Sequence, residues 1–202
     1  MDLKEYMSVR RAYNVVRQMV DSDNRLTFEE FAIICHLCDC DQPVKTSSIA
    51  EYQGALRPTM THRTNHLASL GLIERAEGEH DRRNVVCAIS DAGRDRVERL
   101  SELTRAQIPS GRSLSRTSAE RIRKYVDAMG SFFCKAGDLV LLGLLSSDGT
   151  ALTIMQLVDL LGLLQPTVSM SVSSLAEGGY VTRMRSAGEG RTSSVCLTPE
   201  GM

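Results

Sequence analysis

The spacing of hydrophobic and polar residues predicts a mostly helical first half of the chain. Apolar side chains recur at helical spacing over residues 2–20, which predicts an opening helix. Two later helices form a helix-turn-helix that we assign to residues 46–71. Pro58 stands where a helix can begin without losing a hydrogen bond, and Gly71 stands where that helix can end.

A two-stranded hairpin is predicted to follow. Short apolar runs on either side of a polar, glycine-containing tip indicate two strands over residues 72–89. Ser90 then supplies the side-chain oxygen that begins a helix over residues 91–106. This order of elements is typical of a winged helix-turn-helix module, in which the hairpin is the wing. We assign the module to residues 1–108.

The same pattern occurs again 108 residues further along the chain. Pro58 falls on Pro166 and Gly71 on Gly179, with no gap between them. A repeat of this length is a duplicated domain rather than a solenoid unit. We therefore predict a second winged helix module over residues 109–202. Its elements are a helix at 117–133, a helix-turn-helix at 153–179 and a wing at 180–197.

The second copy is predicted to lack a closing helix, because the sequence reaches Met202 soon after the helix-start signal Thr198-Pro199. Its apolar side is then expected to be covered by helix 91–106, by helix 117–133 or by another protomer. The predicted fold class is mainly α with small β-hairpin wings. It is an α+β arrangement of tandem winged helix-turn-helix modules on a shared helical base of the dimerisation type.

Composition and charge indicate the expected location of the protein more clearly than its function. The formal net charge is -1, so overall charge indicates no attraction to nucleic acid, although residues 94–124 carry nine Lys or Arg against four Asp or Glu. We find no signal sequence and no apolar run of transmembrane length. The expectation is a cytoplasmic protein without a membrane partner, whose six cysteines are reduced.

The residues from the second helix of the helix-turn-helix to the end of the wing resemble the MarR family of bacterial transcription regulators. The resemblance rests on Gly71-Leu72-Ile73-Glu74-Arg75, Asp81-Arg82-Arg83 and Ile89-Ser90-Asp91-Ala92-Gly93. It implies a DNA-binding regulator, here taken to be a repressor, and a small aromatic effector that binds between helical base and DNA-binding module. Since the family is usually a homodimer of single modules, the resemblance implies a pseudo-dimer within one chain. Whether two chains also pair is left open.

The outer face of the helix that begins at Pro58 has the composition of a surface that reads DNA. Met60, Thr64 and Leu67 share one stripe and should face the core, while the opposite face is small, polar and free of Asp and Glu. Such a face can enter a major groove, where Asn and Thr bond to base edges. An ordinary solvated face usually carries Glu and Lys. The candidate contacts to double-stranded DNA are Arg57, Thr59, Thr61, His62, Arg63, Asn65 and His66.

The wing tip supplies further candidates, Asp81, Arg82 and Arg83, because in the resembled family the corresponding Arg reaches the minor groove and is held by the Asp. The second copy has fewer cations, so it should bind more weakly and with less dependence on salt. Two roles stay open for it, DNA contact through hydroxyl groups and packing. Its candidates are Gln165, Thr167, Ser169, Ser173 and Arg191.

Cys35 and Cys38, one helical turn apart, are the cysteines with a candidate chemical role. A zinc site needs about four ligands and no second paired set is present, so neither a metal nor a cofactor is predicted. Packing is the favoured interpretation, and a thiol-based redox-sensing regulator is one alternative. A winged-helix protein-interaction scaffold without DNA binding is another. No catalytic motif is present, so we do not predict an enzyme.

Overall fold

The protein was analysed as a computed structural model that describes residues 2–78, 85–111, 114–132, 134–185 and 193–202. Its elements confirm the predicted fold class, a mainly helical chain with small antiparallel sheets. The first half contains α1 (Leu3–Gln18), α2 (Phe28–Cys38), β1 (Val44–Lys45), α3 (Thr46–Tyr52), α4 (Arg57–Ser69), β2 (Ile73–Glu77), β3 (Val85–Ile89) and α5 (Asp91–Ala106). The second half contains α6 (Ala119–Gly130), α7 (Ala136–Ser146), β4 (Leu152–Thr153), α8 (Ile154–Leu161), α9 (Gln165–Glu177), β5 (Val181–Arg185) and β6 (Ser193–Leu197).

Local hydrogen bonds explain where several helices begin. Ser90 Oγ accepts a hydrogen bond from the amide of Gly93 at 3.0 Å, and this cap starts α5 at the predicted place. Helix α6 begins later than predicted, because the capping side chain is Ser118, whose Oγ accepts from the amide of Arg121 at 3.2 Å. The short 3-10 helix Pro199–Gly201 follows β6 at the position where α5 follows β3.

The 108-residue repeat extends to the pairing of the strands. In the first sheet the strand order is β1-β3-β2, and in the second it is β4-β6-β5. Val44 pairs with Cys87 in the first sheet, and Leu152 pairs with Val195 in the second. Helices α2 and α7 also coincide under the same shift, although few of their residues are identical. The structural repeat is therefore longer than the one that residue identity indicates.

Two glycines allow each wing to lie against the element that follows it. A Cβ added to Gly93 would overlap the carbonyl oxygen of Leu72, and one added to Gly201 would overlap that of Tyr180. The carbonyl oxygen of Gly71, which has a φ of +69°, accepts a hydrogen bond from Ser90 Oγ at 2.7 Å. These contacts explain why glycines stand at matching places in both copies.

The chain divides into two compact units, Val15–Phe133 and Met1–Asn14 with Cys134–Met202, which we call the first unit and the second unit. This division differs from the predicted one at residue 108. In the first unit α6 packs against α2 and α5, so it belongs with the first winged module rather than the second.

In the second unit, α1 covers the C-terminal end of α8. The buried Arg10 donates from Nε to the carbonyl oxygen of Leu161 at 3.0 Å, and Asn14 donates from Nδ2 to that of Asp159 at 2.8 Å. A cation at this end of a helix is favourable, because the last carbonyls carry partial negative charge.

The core of each unit consists mainly of aliphatic side chains. In the first unit Ile33, Ile34 and Leu37 of α2 are fully buried, and in the second Leu144 and Leu157 are. Over the described ranges, no helix is both long enough and apolar enough to cross a lipid bilayer.

Candidate nucleic-acid interface

Helix α4 lies with its predicted stripe in the core of the first unit. Met60, Thr64 and Leu67 have no exposed surface, which confirms that part of the prediction. Thr64 satisfies its buried hydroxyl by donating to the carbonyl oxygen of Met60 at 3.0 Å. The opposite side of α4 is consequently the side that faces solvent.

Five of the predicted contact residues lie on that exposed side and carry no acidic group. They are Arg57, Thr59, Thr61, His62 and Asn65. A helix of this size fits the major groove of B-DNA, and these side chains offer a cation together with hydroxyl, imidazole and amide groups. We call this set the α4 face.

Arg63 has a different environment from the α4 face. Its Nη1 donates to Oε1 of Gln53 at 2.8 Å, and Gln53 in turn donates from Nε2 to the carbonyl oxygen of Glu29 at 2.8 Å. Gln53 is buried, so this chain of hydrogen bonds ties α4 to the end of α3 and to α2. The guanidinium of Arg63 therefore has a partner within the module.

His66 is also held within the first unit. Its Nδ1 lies 2.7 Å from Oε1 of Glu30, whose side chain is only 6% exposed. The other carboxylate oxygen of Glu30 accepts from the amide of Thr27 at 2.7 Å and from its hydroxyl at 2.9 Å. Glu30 is a capping residue of α2, and the structure shows that it also holds α4.

A residue of strand β2 also contacts the α4 face. Arg75 of β2 donates from Nη1 to Oδ1 of the exposed Asn65. Arg75 lies opposite Cys87 in the sheet, and its guanidinium favours the thiolate of that residue. Burial nevertheless raises the pKa of the Cys87 thiol, and a hydrogen bond from Thr46 opposes that rise. The predicted site did not include Arg75, although the 108-residue shift places it on an identical residue, Arg183.

The predicted wing-tip contacts fall in the gaps between the described ranges. Asp81, Arg82 and Arg83 of the first wing and Arg191 of the second lie outside the described residues. The strands that lead to the first tip are described and pair from Ile73 with Ile89 to Glu77 with Val85.

The corresponding face of α9 is less polar and carries no cation. Gln165 is exposed, Thr167 is half-buried, and Met170, which stands at the place of His62, is 73% exposed. Ser173 donates to the carbonyl oxygen of Ser169 at 2.9 Å. Its hydroxyl also accepts from Nη2 of Arg183 at 2.8 Å. The hydroxyl of Ser173 is thus engaged as both donor and acceptor.

The contacts of Arg63 and His66 have no equivalent among the residues at the matching positions of the second module. Leu161 stands at the place of Gln53, Ser171 at that of Arg63 and Ser174 at that of His66. Helix α9 is anchored by its buried valines, Val168 and Val172, as α4 is by its own buried stripe.

Cys35 and Cys38 lie on α2, where both are close to Arg123 of α6. Burial raises the pKa of the fully buried Cys35 thiol, and the nearby Cys38 raises it further, while Arg123 lowers it. Burial also raises the pKa of Cys38, again against Arg123. A raised pKa lowers the thiolate fraction at neutral pH, which favours packing over redox sensing for these two residues. Within the described ranges, no three His, Cys, Asp or Glu side chains are grouped to hold a metal ion.

A cavity of about 330 Å³ opens between α2, α5 and α6 of the first unit. Two arginines and two glutamates line it, together with Cys38, Val97, Ala119 and Ser101. Ser101 is 1% exposed, and its hydroxyl has no hydrogen-bond partner among the described residues. A buried hydroxyl of this kind is costly unless something bonds to it. The cavity is of the size that small organic ligands occupy.

Two family models match separate parts of the chain. A model described as Transcriptional regulator SarA/Rot matches residues 16–100, and a model described as MarR family matches residues 138–192. One match thus lies in each winged module. No curated protein matches the chain.

Among solved structures, the chain is similar to BpsR of Bordetella bronchiseptica, studied for the regulation of its DNA binding by 6-hydroxynicotinic acid. The two are 21% identical, and the match covers 57% of this chain and 84% of that one with a TM-score of 0.40. A likeness this distant carries no argument about function.

Proposed function

We propose that this chain, a member of the MarR-type winged helix-turn-helix regulators of transcription, is a repressor. It binds double-stranded DNA with the α4 face. The observation that carries the proposal is that this face is exposed, acid-free and backed by a fully buried stripe. A helix held in this way keeps its base-reading side chains in one orientation, and such order is what a groove requires.

The second module contributes a weaker contact through α9. Gln165 and Thr167 offer polar groups without charge, so this module neutralises fewer phosphates. Two modules in one chain then read two half-sites roughly one helical turn apart. Arg82, Arg83 and Arg191 are proposed minor-groove contacts on the grounds of family resemblance alone.

A small aromatic effector that carries an acidic group is the proposed ligand of the cavity between α2, α5 and α6. Val97 and Ala119 offer apolar contact to a ring, and the free hydroxyl of Ser101 can donate to a carboxylate. Arg94 lines the same cavity and offers a guanidinium to a carboxylate, while Arg123 there is paired with Asp39 at 2.8 Å and two glutamates add negative charge. Because the cavity touches α2, to which α4 is tied through Glu30, a bound ligand can shift the free energy of the DNA-bound conformation.

The proposed DNA contact is tested by a mobility-shift assay on the region upstream of the chain's own gene, titrated with salt. His62→Ala should weaken binding about fivefold or more, because a base contact is lost. Met170→Ala is the matched control in α9 and should change affinity less. Equal affinities for wild type, His62→Ala and Arg82→Ala with Arg83→Ala would favour a protein-interaction scaffold instead.

The effector proposal has its own measurement. Benzoate, as a simple aromatic carboxylate, should change the fluorescence of a dye bound in the cavity of the wild-type chain. Ser101→Ala should weaken benzoate binding about fivefold, because one hydrogen bond is removed. Unchanged benzoate binding by Ser101→Ala would remove the cavity from the proposal while leaving the DNA contact standing.

A further inference from the structure

We infer that Arg75 is a positioning residue that decides which base Asn65 prefers, an inference that rests on the proposal that α4 enters the major groove. The observation is the hydrogen bond that Arg75 Nη1 donates to Asn65 Oδ1. Asn65 belongs to the exposed face of α4, and Arg75 stands on the wing strand beside it. Arg75 therefore acts on DNA through another side chain.

The chemistry of the pair settles how the amide of Asn65 is turned. A guanidinium has five donors and no acceptor, so the atom that faces Arg75 must be the carbonyl oxygen. The two hydrogens on Nδ2 are then the groups left for a ligand. Strand β2 is paired with β3 along its whole length, from Ile73 opposite Ile89 to Glu77 opposite Val85, so the backbone beneath Arg75 is well fixed.

This orientation changes the expected base preference. An unrestrained Asn suits adenine, because it accepts from N6 and donates to N7 at the same time. Here Oδ1 is already engaged and lies beside a positive charge, which is unfavourable for the amino group of adenine. Guanine presents two acceptors, O6 and N7, on the same edge. Asn65 is therefore a donor that prefers guanine to adenine.

The second module contains the same arginine but not the same consequence. Arg183 donates from Nη2 to the hydroxyl of Ser173 at 2.8 Å, and that hydroxyl donates to the carbonyl oxygen of Ser169 at 2.9 Å. Since its one hydrogen is used, Ser173 has none to offer an acceptor on a base. Ser173 therefore cannot donate to guanine as Asn65 does, and its arginine has no amide to orient.

The test is selection of binding sites from a randomised duplex library by the full chain. Wild type should enrich one motif with guanine about tenfold over adenine at the position read by Asn65. Arg75→Met frees the amide and should move the preference at that position alone toward adenine. Arg75→Lys retains a donor and should keep guanine, whereas Arg183→Met, the matched control, should leave the motif unchanged.

The outcomes separate the inference from the proposal beneath it. A wild-type selection with no enriched motif overturns the DNA-binding proposal and this inference with it. An enriched motif that Arg75→Met leaves unaltered, or weakens evenly at every position, overturns the inference alone. If Arg75→Met does not fold, Asn65→Asp decides, because it keeps an oxygen for Arg75 and removes both donors. Retention of guanine by Asn65→Asp overturns the inference, and loss of that preference supports it.

Discussion

Helices α4 and α9 occupy the same place in two modules whose strand pairing repeats residue for residue, yet they are not held in quite the same way. Buried apolar side chains anchor both helices, but α4 is bound in addition by the polar side chains of Glu30 and Gln53. Hydrogen bonds are directional and apolar contacts are not. A duplicated fold has thus kept its backbone and changed what orients the helix that faces solvent.

The difference also extends to charge. The exposed side of α4 begins with Arg57, while α9 has Gln165 at the same place, and His62 corresponds to the exposed Met170. Backbone hydrogen bonding tolerates these exchanges, because none of the four side chains is in the core. Function at a surface can therefore diverge between copies without loss of the fold.

The largest expected effect is on the free energy of unfolding, and it differs between the matching glycines Gly93 and Gly201. Gly93→Ala should lower the free energy of unfolding by about 3 kcal/mol, because the added methyl group overlaps the carbonyl oxygen of Leu72 beneath a long packed helix. Gly201→Ala meets an equivalent carbonyl but lies in a single 3-10 turn that can shift, so about 1 kcal/mol is expected. Urea unfolding of both variants measures this, and equal losses would contradict the comparison.

A smaller effect is expected at the acidic residues that cap α2 and α7. Glu30→Ala should cost about 2 kcal/mol, because it removes partners from both Thr27 and His66. Asp138 at the matching position accepts from the amide of Lys135 at 2.8 Å, a single capping contact within the described part of the chain, so Asp138→Ala should cost about 0.5–1 kcal/mol. Thermal unfolding compares them. A larger loss for Asp138→Ala would show that the polar attachment of α4 contributes little.

Alkaline pH should destabilise the first unit more than the second. Burial holds the pKa of Cys35 well above its ordinary value, and Gly143 stands at its place in the second module. The thiol of Cys35 in the unfolded chain loses its proton near pH 8.5. The stability that the neutral buried thiol contributes is therefore complete below that pH and declines as the pH rises toward the folded pKa. The expected loss is about 1 kcal/mol per pH unit.

Hydrogen exchange followed by mass spectrometry locates that loss. Between about pH 8.5 and 10, after correction for the intrinsic rate, peptides of α2 should lose protection faster than peptides of α7. Cys35→Ala should reduce the difference, because the titrating group is gone. A difference that persists in Cys35→Ala would assign the effect to another group, such as Tyr52, whose pKa is also raised by burial.

The smallest expected effect is on the salt dependence of DNA affinity. It compares Arg57 at the start of α4 with Gln165 at the start of α9. Arg57→Ala should reduce the slope of log affinity against log salt by about 1, because one phosphate contact is lost. Gln165→Ala carries no charge and should leave the slope unchanged. Fluorescence anisotropy on one duplex at several salt concentrations measures both, and an unchanged slope in Arg57→Ala would remove that residue from the phosphate contacts.

Several features followed from short stretches of sequence. The bounds of α5, the buried stripe of Met60, Thr64 and Leu67, and the wing strands were predicted because caps, helical periodicity and strand patterns act over a few residues. The duplication was visible because Pro58 and Pro166 stand at the starts of matching helices, and Gly71 and Gly179, both with positive φ, stand at matching ends. The start of α6 was misplaced because two neighbouring residues, Thr117 and Ser118, could each cap it.

Other features became visible only when distant elements were brought together. Asn65 and Arg75, or His66 and Glu30, meet because separate helices and strands pack on one core, and no local pattern pairs them. The grouping of α6 with the first module and of residues 1–14 with the second likewise depends on contacts between segments that are distant in the chain. Local hydrogen bonding and periodicity are properties of neighbouring residues. The partners of a polar side chain depend instead on the packing of segments that lie far apart along the chain.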